Sequence, residues 1–173
     1  MNGLDLGIGA LEQDMWRVGF LMTRIGAALL AAPFFGATAV PMSVRIAITG
    51  ALAIFVSVWM PAVATPDALL SLAGLLAIAG EVIVGLALGF VLQLAFAAPT
   101  VAAELISGGM GMSMAVSPDA MGGGTTTSFG QYFVIVLTLI FLATGAHLHW
   151  IALLAESYNA FPPGQTWLGA ARF

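Results

Sequence analysis

The residues able to do chemistry in this chain are few. His147 and His149 stand near Glu156 towards the C-terminal end. Imidazole and carboxylate are zinc ligands, with bonds near 2 Å. On a helix, positions i and i+2 diverge. His149 and Glu156 do share a face, but at a rise of 1.5 Å per residue they stand about 10 Å apart. That spacing points to histidines at a helix end near an interface, not to a metal centre. There is no cysteine, which excludes a thiolate nucleophile, a disulfide and a Cys-based metal site. Ser107, Ser113 and Ser117 have no histidine beside them in sequence to activate a hydroxyl. Asp67 and Asp119 fall in loops, where they cannot form a facing pair of intramembrane acids. Gly108, Gly109 and Gly111 are not followed by lysine, as a phosphate-binding loop requires. The inventory reads as non-enzymatic, with no metal and no cofactor.

The elements that carry these residues are those of a membrane protein. Of 173 residues, 61% are hydrophobic and 7% are charged. Soluble domains carry about 25% charged residues. A mean hydropathy of +1.06 agrees. Such a chain is too apolar for disorder and too poorly charged to coat a soluble particle. The cations are Arg17, Arg24, Arg45 and Arg172, and the net charge is −4. Without a basic cluster, nucleic acid and anionic lipid surfaces are poor partners. Met1–Asp14 carries three acids and no base, so it lacks the positive start of a secretory signal. The first apolar segment is expected to stay in the mature chain.

Charge-free stretches place the helices. The first is expected over Met15–Ala32, followed by the proline-punctuated segment Pro33–Pro41. The second is expected over Ser43–Met60, stopped by Pro61. The third should run over Leu69–Ala98, about 45 Å long against a hydrocarbon core near 30 Å. Pro99 should kink or break it, with a short helix over Val101–Ser107 beyond. A loop, Ser107–Thr127, follows. The fourth helix is expected to be one long element, Ser128–Tyr158, ended by Phe161–Gly164. The arginines are too few and too evenly spread to orient the chain. With no repeat and no charged linker, residues 1–173 read as one all-α membrane domain.

Three features stand out within this frame. Arg17 and Arg24 lie seven apart on one helix face. Arg17 can snorkel to an interface or join a polar seam; Arg24 is deeper and needs a carboxylate or carbonyl partner. Glu81, Gly85 and Gly89 recur every four residues, a small-residue face for close helix packing that carries one carboxylate. Packing fits this face better than proton relay, because no second acid lies on it. The loop combines Gly108, Gly109, Gly111, Gly122, Gly123 and Gly124 with Met110, Met112, Met114 and Met121. Methionine on a glycine-rich backbone can fill an irregular gap and give way again. From composition alone, a reversible seal and a flexible surface loop both fit.

Longer stretches carry a resemblance. Arg24–Arg45, reading RIGAALLAAPFFGATAVPMSVR, is similar to the opening part of the FliR family, the R subunit of the flagellar type III export gate. Glu81-x3-Gly85-x3-Gly89 looks like a helix of that family. Ala102–Asp119 resembles its loop, with Pro118-Asp119 where the family more often reads Asp-Pro. Gly145–Gly164, reading GAHLHWIALLAESYNAFPPG, is the most specific match, with Tyr158 in place of the usual Phe. Virulence-secretion subunits resemble the chain more loosely. Family members continue with further hydrophobic helices similar to the small Q subunit. The sequence stops at Phe173, just after Arg172, so the expectation is that either that hairpin is missing or the sequence is a fragment of a longer chain.

The resemblance implies a non-enzymatic subunit of a protein export gate in the bacterial inner membrane, at the flagellar basal body. Its expected partners are the export-gate P and Q subunits (FliP and FliQ), the FlhB-type switch subunit and unfolded flagellar export substrates. It implies helical hairpins packed into a hetero-oligomer, with residues 1–173 as the P-like part. It places Ser107–Thr127 in the pore as a plug. Packing and assembly positions would be Arg24, Pro33, Pro41, Arg45, Glu81, Gly85, Gly89, His147, Ser157, Pro162 and Gly164. The rival reading is a small-molecule or ion transporter or channel subunit. That reading expects two matching halves with broken helices and paired polar groups. The sequence has no inverted repeat and only single acids.

Overall fold

A computed structural model describes residues 8–35, 40–59, 71–111, 116–118 and 125–163. Five helices and one small ribbon are found among these residues. Helix α1 spans Ile8–Ala31, α2 Met42–Trp59, α3 Leu72–Gly109, α4 Ser128–Ala143 and α5 Ala146–Ala160. Strands β1, Val116–Pro118, and β2, Thr125–Thr127, pair antiparallel with Val116 opposite Thr127.

Two helices, α2 and α3, are long and apolar enough to cross a membrane; α4 and α5 together make a third candidate, bent by 68°. Helix α1 is the central element. Phe20, Leu21, Ile25, Ala28, Leu29 and Ala32 are all buried. Its Leu21, Ile25, Ala28 and Leu29 share a core with Ala53 and Val56 of α2 and with Leu154 and Tyr158 of α5. Much of the apolar surface faces outward, including Ile54, Phe55, Val58 and Trp59 on α2 and Phe90, Val91 and Leu94 on α3. An exposed apolar exterior suits lipid or protein neighbours, because water would penalise it.

Four boundaries differ from the sequence expectation. Helix α1 begins at Ile8, so Glu12 and Asp14 lie within it. Pro99 does not break α3, which continues as one 38-residue helix to Gly109. Proline removes one backbone donor, and the Thr100 hydroxyl donates to the Ala97 carbonyl at 2.7 Å. The expected fourth helix is two helices, because Gly145 adopts a left-handed conformation with φ of 69°. Lastly, the expected loop contains the β1–β2 ribbon. Ser71 and Thr127 cap α3 and α4, accepting from the Gly74 and Gly130 amides at 3.1 Å.

A candidate assembly site around Arg24

Arg24 is fully buried. A guanidinium in such a place must find acceptors, because its unpaired desolvation is costly. Glu81 of α3 supplies two. Arg24 donates from Nε to one carboxylate oxygen at 2.7 Å and from a terminal nitrogen to the other at 2.9 Å. This is the bidentate geometry that suits arginine and carboxylate. The same terminal nitrogen donates to the Phe161 carbonyl at 2.7 Å, and the other donates to the Ser157 hydroxyl at 3.1 Å. Ser157 passes the chain on by donating to the Leu154 carbonyl at 2.7 Å. The guanidinium carbon lies 4.1 Å from the centre of the Tyr158 ring. The Tyr158 hydroxyl donates to the Leu21 carbonyl at 2.9 Å. One arginine therefore ties α1 to α3, to α5 and to the segment leaving α5.

Close helix approach makes this hub possible. A Cβ built on Gly85 would stand 2.2 Å from the Arg24 carbonyl oxygen and 2.9 Å from the Ala27 Cβ. One built on Gly89 would stand 2.4 Å from the Ala28 carbonyl oxygen. Four-residue spacing keeps both glycines and Glu81 on the face of α3 that meets α1. The glycines let the backbones touch, and the carboxylate is then within reach of Arg24.

The remaining candidate residues are distributed around this hub. Arg17, one helical heptad before Arg24, donates to the Ser57 carbonyl of α2. Pro33 lies in the turn after α1, and the Pro41 carbonyl accepts from the Val44 and Arg45 amides at 3.1 and 3.3 Å, opening α2. Arg45 lines a shallow recess with Met22, Gly26 and Thr49. Pro162 follows Phe161 at the hub's edge, while Gly164 lies outside the described residues. His147 is not part of the hub; it lines a cavity of about 300 Å³ with Phe34, Phe35, Phe141 and Trp150. Among the described residues no group of three His, Asp or Glu side chains could hold a metal ion. Gly108, Gly109, Met110 and Gly111 are exposed at the end of α3. Met112, Met114, Met121, Gly122, Gly123 and Gly124 lie outside the described residues. Sequence reasoning missed Trp150, whose indole donates to the Leu88 carbonyl at 3.2 Å. It also noted Tyr158 without seeing the use of its hydroxyl.

The apolar composition, the helices long and apolar enough to cross a membrane and the buried hub define a membrane-type helical protein built around tight interhelical packing. The chain belongs to the bacterial export proteins, family 1, whose pattern it matches over residues 15–173. It is 34% identical over 161 residues to the flagellar biosynthetic protein FliR of Pectobacterium carotovorum subsp. carotovorum, covering 93% of this chain and 59% of that protein. It is 28% identical over 143 residues to FliR of Escherichia coli strain K12, covering 83% and 54% respectively. The secretion system apparatus protein SsaT of Salmonella typhimurium strain LT2 is 32% identical over 96 residues, 56% of this chain and 37% of that protein. The chain thus spans little more than half the length of these flagellar relatives.

Proposed function

We propose that this chain is a non-enzymatic subunit of a flagellar type III protein export apparatus in the bacterial inner membrane. The observation that carries this reading is the 34% identity to a flagellar FliR across 93% of the chain. Membership of an export family points to a structural role. The chemistry of the hub fits such a role: Arg24 and Glu81 are spent on each other and on holding three helices together.

In this reading the outward apolar faces of α2 and α3 meet export-gate P and Q subunits, FliP and FliQ, and an FlhB-type subunit. The assembly at the basal body passes unfolded flagellar proteins. The segment Ser107–Thr127 plugs the passage. Supporting this, Gly108, Gly109 and Gly111 have open space where a Cβ would stand, and Met110 is half exposed beside them. The β1–β2 ribbon pairs Val116–Pro118 with Thr125–Thr127 inside this segment. The test is to express this chain with the P, Q and FlhB-type subunits of its own system and purify through a tag on it. Recovery of a large hetero-oligomer containing P and Q subunits is expected. Recovery of the chain alone from intact membranes would contradict the proposal.

A further inference from the structure

The bend between α4 and α5 rests on one residue. No proline lies between Ser128 and Ala160, and both flanks are helical. Thr144 keeps right-handed angles, with φ of −78° and ψ of −6°. Gly145 alone departs, with φ of 69° and ψ of 15°. Glycine reaches the left-handed and right-handed regions at similar cost, which no other residue does. Rotation of Gly145 into the right-handed region would join α4 and α5 into a single helix.

Local and tertiary forces pull this joint in opposite directions. The bent form interrupts the backbone ladder: the Gly145 amide donates to Leu142 at 3.1 Å, and the ladder restarts where Leu148 donates to Gly145 at 2.9 Å. The first amides of α5 forgo intrahelical partners, and α5 has no side-chain cap. In an apolar medium such gaps are costly, and a continuous helix would close them. The bend also shelters the apolar cavity of about 300 Å³, lined by Thr138, Phe141 and Leu142 from α4 and by His147, Trp150 and Ile151 from α5. The His147 Nδ1 atom is buried there with no hydrogen-bond partner. Loose packing and an orphaned polar atom both weaken the bent state. What holds it is the burial of Leu154 and Tyr158 in the core with α1, together with a set of bonds from α5 to α1 and α3: Trp150 to Leu88, Tyr158 to Leu21, and Arg24 to Ser157.

We infer that α4 and α5 form a two-state element, with Gly145 as the joint and the Trp150, Ser157 and Tyr158 bonds as the latch. Bent, α5 lies against α1 and α3; straight, it swings away and opens the apolar cavity. Such bistable elements, biased by a few contacts, are the usual basis of conformational switching.

The chain has no cysteine, so two introduced thiols can be spin-labelled uniquely. Tyr132 on α4 and Asn159 on α5 are both exposed. A straight helix would separate their backbones by about 40 Å at 1.5 Å per residue. With the 68° bend the separation falls to about 33 Å. Pulsed electron–electron distance measurements on the full chain in lipid nanodiscs should give the shorter distance. A Cβ at position 145 meets nothing within 4 Å, so substitutions there act on backbone preference alone. Gly145→Ala disfavours the left-handed state and should shift the distance outward by about 7 Å, on the same helical rise. Gly145→Asn tolerates that state far better and should keep the shorter distance. Trp150→Phe combined with Ser157→Ala and Tyr158→Phe, which removes all three latch bonds with the joint unchanged, should add a second population at the longer distance. An unchanged short distance in both Gly145→Ala and the latch variant would overturn the inference. Equal distances in Gly145→Ala and Gly145→Asn would also overturn it.

Discussion

Glycine is used in two opposite ways in this molecule. At the α1–α3 seam, Gly85 and Gly89 are there because nothing larger fits: an added Cβ would stand 2.2 and 2.4 Å from backbone oxygens of α1. At the far end of the same helix, Gly108, Gly109 and Gly111 face open space. The first pair fixes one helix-to-helix geometry, whereas the second group meets no neighbouring atom, with Gly111 in a left-handed turn at φ of 70°. The difference shows that composition alone does not reveal a glycine's role. What decides it is whether backbone or empty volume lies opposite. Under the proposed function, the two regions are complementary, one holding the frame and the other belonging to the segment that closes the passage.

Substitutions at the seam should have the largest effects. Gly85→Leu places a whole side chain against α1 backbone that cannot swing aside. Overpacking of even a methylene or two costs about 1–3 kcal/mol, and this insertion is larger. Loss of the folded chain, and of any complex purified through it, is expected. Full recovery of the complex would break the distinction between the two glycine groups.

Arg24→Met comes next. It leaves Glu81, 2% exposed, buried without its cation. Breaking such a pair costs about 3–5 kcal/mol, readable as a lowered unfolding midpoint in detergent. The companion double variant, Arg24→Met with Glu81→Leu, removes both charges and should regain most of that loss. A double variant as unstable as Arg24→Met would show that geometry at Ser157 and Phe161, rather than charge burial, dominates the hub.

Tyr158→Phe separates two contributions within the hub. It keeps the ring over Arg24 and removes only the bond to Leu21. A loss of about 1 kcal/mol is expected, measured in the same unfolding assay. The smallest effect belongs to the free end. Gly108→Ala meets no neighbour and should leave stability unchanged or raise it by less than about 1 kcal/mol through helix propensity. A large destabilisation there would place Gly108 with the packed glycines.

The sequence made some of this legible and hid the rest for physical reasons. An arginine amid apolar residues demands acceptors, and the structure supplies both kinds expected, the Glu81 carboxylate and the Phe161 carbonyl. The spacing of Glu81, Gly85 and Gly89 places them on one face, and that face meets α1. Which helix would meet it was not legible, because helix pairing is set by three-dimensional fit. Pro99 reads as a breaker, yet the helix continues through it, as helices packed in an apolar setting can. The bend at Gly145 was invisible because its flanks are helix formers; the bonds that hold it come from Leu88, Leu21 and Arg24, far away in the chain. The β1–β2 ribbon escaped notice because each strand is only three residues long.

The proposed function has the end of α3 and the segment after it close a passage through an assembled export gate. The most direct test is solute influx, or single-channel conductance, in cells making the complete gate with this chain. The intact chain is compared with one lacking Gly108–Gly124, with assembly checked by purification in both. The deletion should raise permeability to ions and small solutes and slow growth. Replacing Met110, Met112 and Met114 by alanine should give a weaker leak, and replacing them by leucine should largely preserve the seal, since apolar volume is nearly kept. Equal leakage with and without the deletion, in gates shown to be assembled, would contradict it.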